Sequence, residues 1–166
     1  MEAKTVLVTG IGGNVGQGIL RNIASLNLSI RLIGTDIASF TPGNHLCDVT
    51  YKVPYAYDES YIPTLQNIID KEKVDLVLPS TDYEVYYLSQ NAEKLNAIVV
   101  ASDAKTAKTY LDKYESYVYL SQNNIPFAKS WLTGDYDFSE KEIIAKPREG
   151  RGSRGILLNP ENPNQL

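Results

Sequence analysis

The sequence predicts an α/β fold: a mostly parallel sheet with helices on both faces, followed by a small partial α+β piece. Two observations predict it. Up to Ser102, short β-branched apolar runs alternate with segments at helical spacing, and the first run opens directly onto a glycine-rich turn. Beyond Ser102 the alternation stops, and two helical segments lead into strand-like stretches around a lysine and a second glycine loop.

In chain order, Thr5–Thr9 is the first strand, and Asn14–Leu26 is a helix carrying Val15, Ile19, Ile23 and Leu26 on one side. Ile30–Ile33 is a second strand, ending at Gly34-Thr35-Asp36, and Val49–Val53 is a weaker third. Glu59–Lys71 is helical, with Ile62, Leu65, Ile68 and Ile69 on one face. Asp75–Pro79 is a buried-type strand, Tyr83–Leu95 a helix, and Ala97–Val100 a fifth strand. This succession makes βαβ units, and right-handed crossovers bring the strand C-terminal ends to one edge. Ala104–Leu111 and Tyr114–Asn123 are then two helices. Pro126–Leu132 and Glu142–Ala145 read as strands joined by a polar turn, which suggests an antiparallel hairpin. The division is placed so that 1–103 is a Rossmann-like lead domain and 104–166 a second piece. So short a second piece buries little core by itself, and it either packs on the first domain or belongs with more chain.

Composition narrows the function classes. The formal net charge of -4 argues against a surface for nucleic acid or an anionic membrane. No apolar run approaches the ~20 residues that span a bilayer, and the expected location is cytoplasmic. A single cysteine, Cys47, excludes an internal disulfide and reads as a small packed residue. His45 stands alone, so no metal site is assigned from the residues.

Three loops carry candidate chemistry. Gly10-Ile11-Gly12-Gly13-Asn14-Val15-Gly16 has the Gly10, Gly13, Gly16 spacing of the dinucleotide fingerprint, and Asp36 ends the next strand where an acid can hold a ribose. That reading supports an NAD(P)-binding oxidoreductase or epimerase, but no tyrosine is followed four residues later by the lysine that such short-chain enzymes use. The glycines otherwise serve only to shape the turn. In Lys146-Pro147-Arg148-Glu149-Gly150-Arg151-Gly152-Ser153-Arg154-Gly155-Ile156, a lysine at a strand end precedes a Gly/Ser loop and a returning strand. Such a loop presents several N–H groups to phosphate oxygens, and Lys146 adds a mobile charge. The same residues also fit an ordinary hairpin with Arg151 and Arg154 as solvated charges. In Leu78-Pro79-Ser80-Thr81-Asp82-Tyr83-Glu84, any of Ser80, Thr81 and Asp82 can cap the following helix. Most of the twelve tyrosines fall at helical spacing and read as half-buried packing.

The ordered series resembles the ATP-grasp superfamily, in particular proteins similar to the large subunit of carbamoyl-phosphate synthetase. Val6–Gly10, Gly34-Thr35-Asp36, Asp48 through Pro54, Val74–Pro79 and Ser102-Asp103 resemble that family's leading domain. Asp112-Lys113 and Asn124-Ile125-Pro126-Phe127-Ala128 look like the start of the ATP-grasp fold, and Lys146-Pro147 through Gly155-Ile156 like its lysine strand and phosphate loop. The resemblance implies that Lys113, Lys146, Gly150, Arg151, Gly152, Ser153 and Gly155 bind ATP. It implies a lead domain that serves the substrate side rather than NAD, with Gly12, Gly13, Asp36, Ser80, Thr81 and Asp82 as candidates. The implied reaction activates a carboxylate as an acyl phosphate for attack by an amine or similar nucleophile, with Mg2+ on the phosphates. The family's acidic metal ligands lie past the phosphate loop, beyond Leu166, so this piece alone is expected to lack turnover and to bind nucleotide weakly. A third class stays open: a non-catalytic nucleotide-binding or assembly module, whose open strands take a second copy or a complementing chain.

Overall fold

The computed structural model describes residues 4–136, 142–150 and 152–160. The chain divides into two compact units, Met1–Ala107 and Lys108–Leu166.

The first unit is built on five parallel strands: β1 (Lys4–Val8), β2 (Ile30–Asp36), β3 (Val49–Lys52), β4 (Leu76–Leu78) and β5 (Ile98–Val99). Their order is β3-β2-β1-β4-β5. Because side chains alternate along a strand, β1 feeds two cores at once. Val6 and Val8 point to one face, where they pack with Leu20 of α1 (Asn14–Ala24) and with Leu32. Leu7 points to the other, against Tyr61, Leu65, Ile68 and Ile69 of α2 (Tyr61–Glu72) and Leu88 of α3 (Asp82–Gln90). Each such buried aliphatic side chain contributes about 1.5–3 kcal/mol, which is why a strand buried on both faces reads as one continuous apolar run. The expected sheet with helices on both faces is therefore present. Strand order reverses between β1 and β4, and in open sheets that point leaves a crevice at the strand C-terminal ends.

Several boundaries differ from expectation for local reasons. β2 continues through Gly34, Thr35 and Asp36, because these residues keep ladder partners on β3 at Thr50, Tyr51 and Lys52. α3 stops at Gln90, and a short 3-10 turn at Ala92–Lys94 follows. There the Asn91 side chain donates to the Tyr87 carbonyl (2.9 Å), competing with continuation of the helix.

In the second unit, α5 (Lys113–Gln122) is capped by Asp112, whose Oδ1 accepts from the N–H groups of Tyr114 (2.9 Å) and Glu115 (3.3 Å). It follows α4 (Ala104–Leu111), which crosses the division between the units. β6 (Ile144–Ala145) and β7 (Leu157–Leu158) form an antiparallel pair, with Ile144 opposite Leu158 and Ala145 opposite Leu157. The expected hairpin between Pro126–Leu132 and Glu142–Ala145 is not formed: residues 126–132 carry no strand, and β6 takes its ladder from β7 instead. β-propensity alone does not make a strand without a partner chain to pair with.

Candidate functional site

Two clusters hold the candidate residues, one in each unit. In the first unit they gather at the C-terminal edge of the sheet. Gly10 follows β1 with φ 59, a conformation that disfavours a side chain, and a Cβ there would lie 2.6 Å from Ser80 Oγ. The turn is locked by hydrogen bonds that the sequence does not reveal. Ser80 Oγ donates to the Gly10 carbonyl (3.2 Å), and Ser80 N donates to Thr9 Oγ1 (3.3 Å). The Gly12 N–H donates to Asp36 Oδ2 (2.8 Å), while Asp36 Oδ1 accepts from Ala38 N (3.0 Å). The carboxylate that a dinucleotide ribose would need therefore already accepts a backbone bond on each oxygen. Thr81 is the cap of α3, whereas Asp82 and Gly13 stand exposed at the starts of α3 and α1.

Beneath this edge lies a group that sequence reasoning missed. Glu84 is 7% exposed. Its Oε2 accepts from Thr81 Oγ1 (2.8 Å), its Oε1 accepts from the Tyr61 hydroxyl (3.5 Å), and Thr9 bonds the same carboxyl. Burial lifts Glu84 above the ordinary carboxylate range, and Asp36 nearby adds to the rise. This buried carboxyl thus ties Thr9 after β1, Tyr61 of α2 and the β4–α3 turn together. Thr81-x-x-Glu84 was the available signal, since that spacing is a capping box. Cys47 packs against the α1-side core, and its thiol is pushed up to about 11 by burial and by Asp48. It is no thiolate at neutral pH.

In the second unit, Lys113 and Lys146 line one cavity of about 580 Å³, together with Arg148, Lys129 and Trp131. Lys146 follows the end of β6 and is exposed. The Lys129 ammonium lies 4.7 Å from the Trp131 ring centroid, and Tyr136 meets the same ring edge-on at 5.5 Å. The glycine loop then returns to β7. Gly155 has φ 70, and a Cβ on it would come 3.0 Å from Pro147 Cγ, so the loop folds back on its own start. Gly152 and Ser153 lie in this turn, and Gly150 lies before it; Arg151 lies outside the described residues. Lys113 holds the loop directly: its N–H and its Nζ donate to the Arg148 carbonyl (3.0 and 3.1 Å), and Nζ reaches the Gly150 carbonyl at 3.4 Å. Burial would raise the Asp112 carboxyl, yet it lies below its ordinary range because Arg148 and the α5 amides favour the ionised form. Among the described residues, no three His, Cys, Asp or Glu side chains gather where they could hold a metal.

A family model for the PylC-like N-terminal domain matches residues 6–102. The chain belongs to that family. PylC-like domains form the region ahead of the grasp fold in ATP-grasp enzymes, so the resemblance read from the sequence holds for the lead unit. No curated protein matches the chain. Among solved structures, the PylC-like chain is similar to an N5-carboxyaminoimidazole synthetase from Staphylococcus aureus complexed with ADP. The identity is 18% and the TM-score 0.69, over 98% of this chain and 43% of that one. It is similar also to the biotin carboxylase domain of a Hydrogenobacter thermophilus 2-oxoglutarate carboxylase, in complex with MgADP, ADP and bicarbonate. That match has 16% identity and a TM-score of 0.67, over 97% of this chain and 38% of that one. An L-amino acid ligase from Bacillus licheniformis matches at 14% identity and a TM-score of 0.67, covering 93% of this chain and 38% of its own. At these identities the likeness is one of fold, and the chain spans about two-fifths of the length of these relatives.

Proposed function

We propose that this chain is the N-terminal portion of an ATP-grasp ligase. Lys146 and the backbone of Gly150, Gly152, Ser153 and Gly155 cradle the polyphosphate of ATP, with Lys113 beside them. The observation that carries the reading is Lys146, exposed at the end of β6 on a cavity it shares with Lys113 and Arg148, with the glycine loop returning as an antiparallel partner. A mobile ammonium and a loop free to present N–H groups are the donor set that a polyphosphate needs. That a structural relative was crystallised with ADP and another with MgADP supports the same ligand class.

When bound, ATP supplies the phosphoryl group that turns a carboxylate into an acyl phosphate, open to attack by an amine or similar nucleophile, and Mg2+ shields its charge. This chain's own residues orient and neutralise: Lys146 is the charge on the phosphates, and the loop amides complete the shell. The metal ligands of this reading lie outside the described residues. The lead part, 1–103, serves the substrate side through the edge at Gly12, Gly13, Asp36, Ser80, Thr81 and Asp82, and 104–166 is a helical linker and the first part of the ATP-grasp domain. Ile144 and Leu158, opposite each other and exposed, support a second copy or a complementing chain against β6–β7. The working place proposed is the cytoplasm.

Parallel titrations with MgATP and with NADH test this reading. A saturable response to MgATP and none to NADH is expected. A tight NADH response lost in Gly13→Val would replace the ligase reading with a dehydrogenase one.

A further inference from the structure

The glycine loop contains a second cation whose charge is already taken. The Arg148 guanidinium is 2.5 Å from Asp112 Oδ2 and 3.3 Å from Glu115 Oε1, and it lies over the Tyr114 ring at 5.8 Å. These three partners occupy the cap and first turn of α5. The backbone joins at the same place, because the Arg148 carbonyl accepts from both the N–H and the Nζ of Lys113. The start of the loop is thus fastened to the N-terminus of α5 by an ion pair, a ring contact and main-chain bonds. The Asp112 side chain is 14% exposed and that of Arg148 49%, so the pair is shielded on one side only.

We propose that Arg148 is a positioning residue rather than a phosphate ligand, setting through Asp112 the direction in which the glycine loop leaves Lys146. The proposal rests on the polyphosphate reading of that loop. It extends the reading by assigning the two cations different work: Lys146 stays free for ligand charge, while Arg148 is neutralised by carboxylates and acts through the loop it fastens. A guanidinium suits this role because one of its nitrogens, Nη2, meets both carboxylates while the planar group also lies over the Tyr114 ring.

Asp112→Asn separates the alternatives, because asparagine keeps the α5 cap and removes only the ion pair. The comparison is of Asp112→Asn, Arg148→Met and the double variant, with ATP affinity read from the emission of Trp131, the one tryptophan, which lines the same cavity. Positioning predicts that each single change weakens ATP about fivefold, as for a half-exposed ion pair, and that the double variant is no weaker than either. Lys substituted for Arg148 should restore part of the affinity. A direct phosphate contact predicts instead that Asp112→Asn leaves ATP binding unchanged or tightens it, which overturns the proposal. Hydrogen exchange at Gly150 and Gly152–Gly155 is the arm that needs no nucleotide. Faster exchange in both single variants supports the fastening, and exchange unchanged from wild type refutes it. Were the wild-type chain to show no ATP response, the parent reading would fail while this arm still decides the role of Arg148.

Discussion

Replacing Glu84 tests whether the C-terminal sheet edge of the lead unit is held by a buried neutral carboxyl. In Glu84→Ala, Thr81 Oγ1, the Tyr61 hydroxyl and Thr9 each lose a bond to the carboxyl, and a void opens under Gly10. At ~1 kcal/mol for each of these bonds plus a cavity contribution, the change should cost more than about 3 kcal/mol. Glu84→Gln keeps the shape and, if the native carboxyl is protonated, the charge state, and should then cost less than about 1 kcal/mol at neutral pH. The pH dependence has a defined sign. The folded-state pKa is raised above the ordinary glutamate value of 4.5 by burial, which outweighs the lowering by the Thr81 and Thr9 hydrogen bonds, with a smaller rise from Asp36. The unfolded chain therefore ionises first. The contribution of Glu84 is fully present below that value and is lost as pH rises toward the folded-state pKa, with a slope of at most about 1.4 kcal/mol per pH unit. The titratable groups facing it are Tyr61 and Asp36, and burial also raises the Tyr61 hydroxyl, which stays neutral throughout. Urea unfolding followed by circular dichroism, from about pH 5 to about pH 8, reads both effects. Glu84→Gln should gain on wild type as pH rises. If Glu84→Gln follows the wild-type pH curve, or falls as far as Glu84→Ala, the neutral-carboxyl account is wrong.

Three further outcomes follow from the same geometry. Thr35 Oγ1 is buried without a hydrogen-bond partner among the described residues, so Thr35→Val should raise stability by about 1 kcal/mol in the same unfolding assay. Gly10→Ala meets both a φ of 59 and Ser80 Oγ, and should lower stability by about 1–3 kcal/mol. The isolated chain should show no ATP turnover in a phosphate-release assay, because the reading puts the metal ligands elsewhere; robust hydrolysis abolished by Lys146→Ala would contradict that.

Much of the lead unit was legible because β1 and β4 pack on both faces, so Val6-Leu7-Val8 and Leu76-Val77-Leu78 announce themselves as apolar runs between turn residues. What stayed hidden depends on contacts distant in sequence. Ser80 and Gly10 are 70 residues apart, yet their bond closes the glycine turn, and no local pattern encodes it. The bonds of Asp36 were hidden for the same reason: the sequence shows an acid at a strand end, but not the Gly12 N–H that donates to it. Phe127, Trp131 and Leu132 have strand-like side chains, but strands exist only in pairs, and no pairing partner meets them among the described residues. In the second unit the lysine and glycines were readable as a loop, while the fastening of that loop by Asp112 and Lys113 was not.

The account turns on Lys146 as a ligand-facing cation. Trp131 emission during ATP titration, compared between the wild-type chain and Lys146→Ala, measures this most directly, since both residues line the same cavity. A weak but saturable change that vanishes in Lys146→Ala is the predicted result. A response of equal size and affinity in the two proteins would show that the lysine does not hold the phosphates.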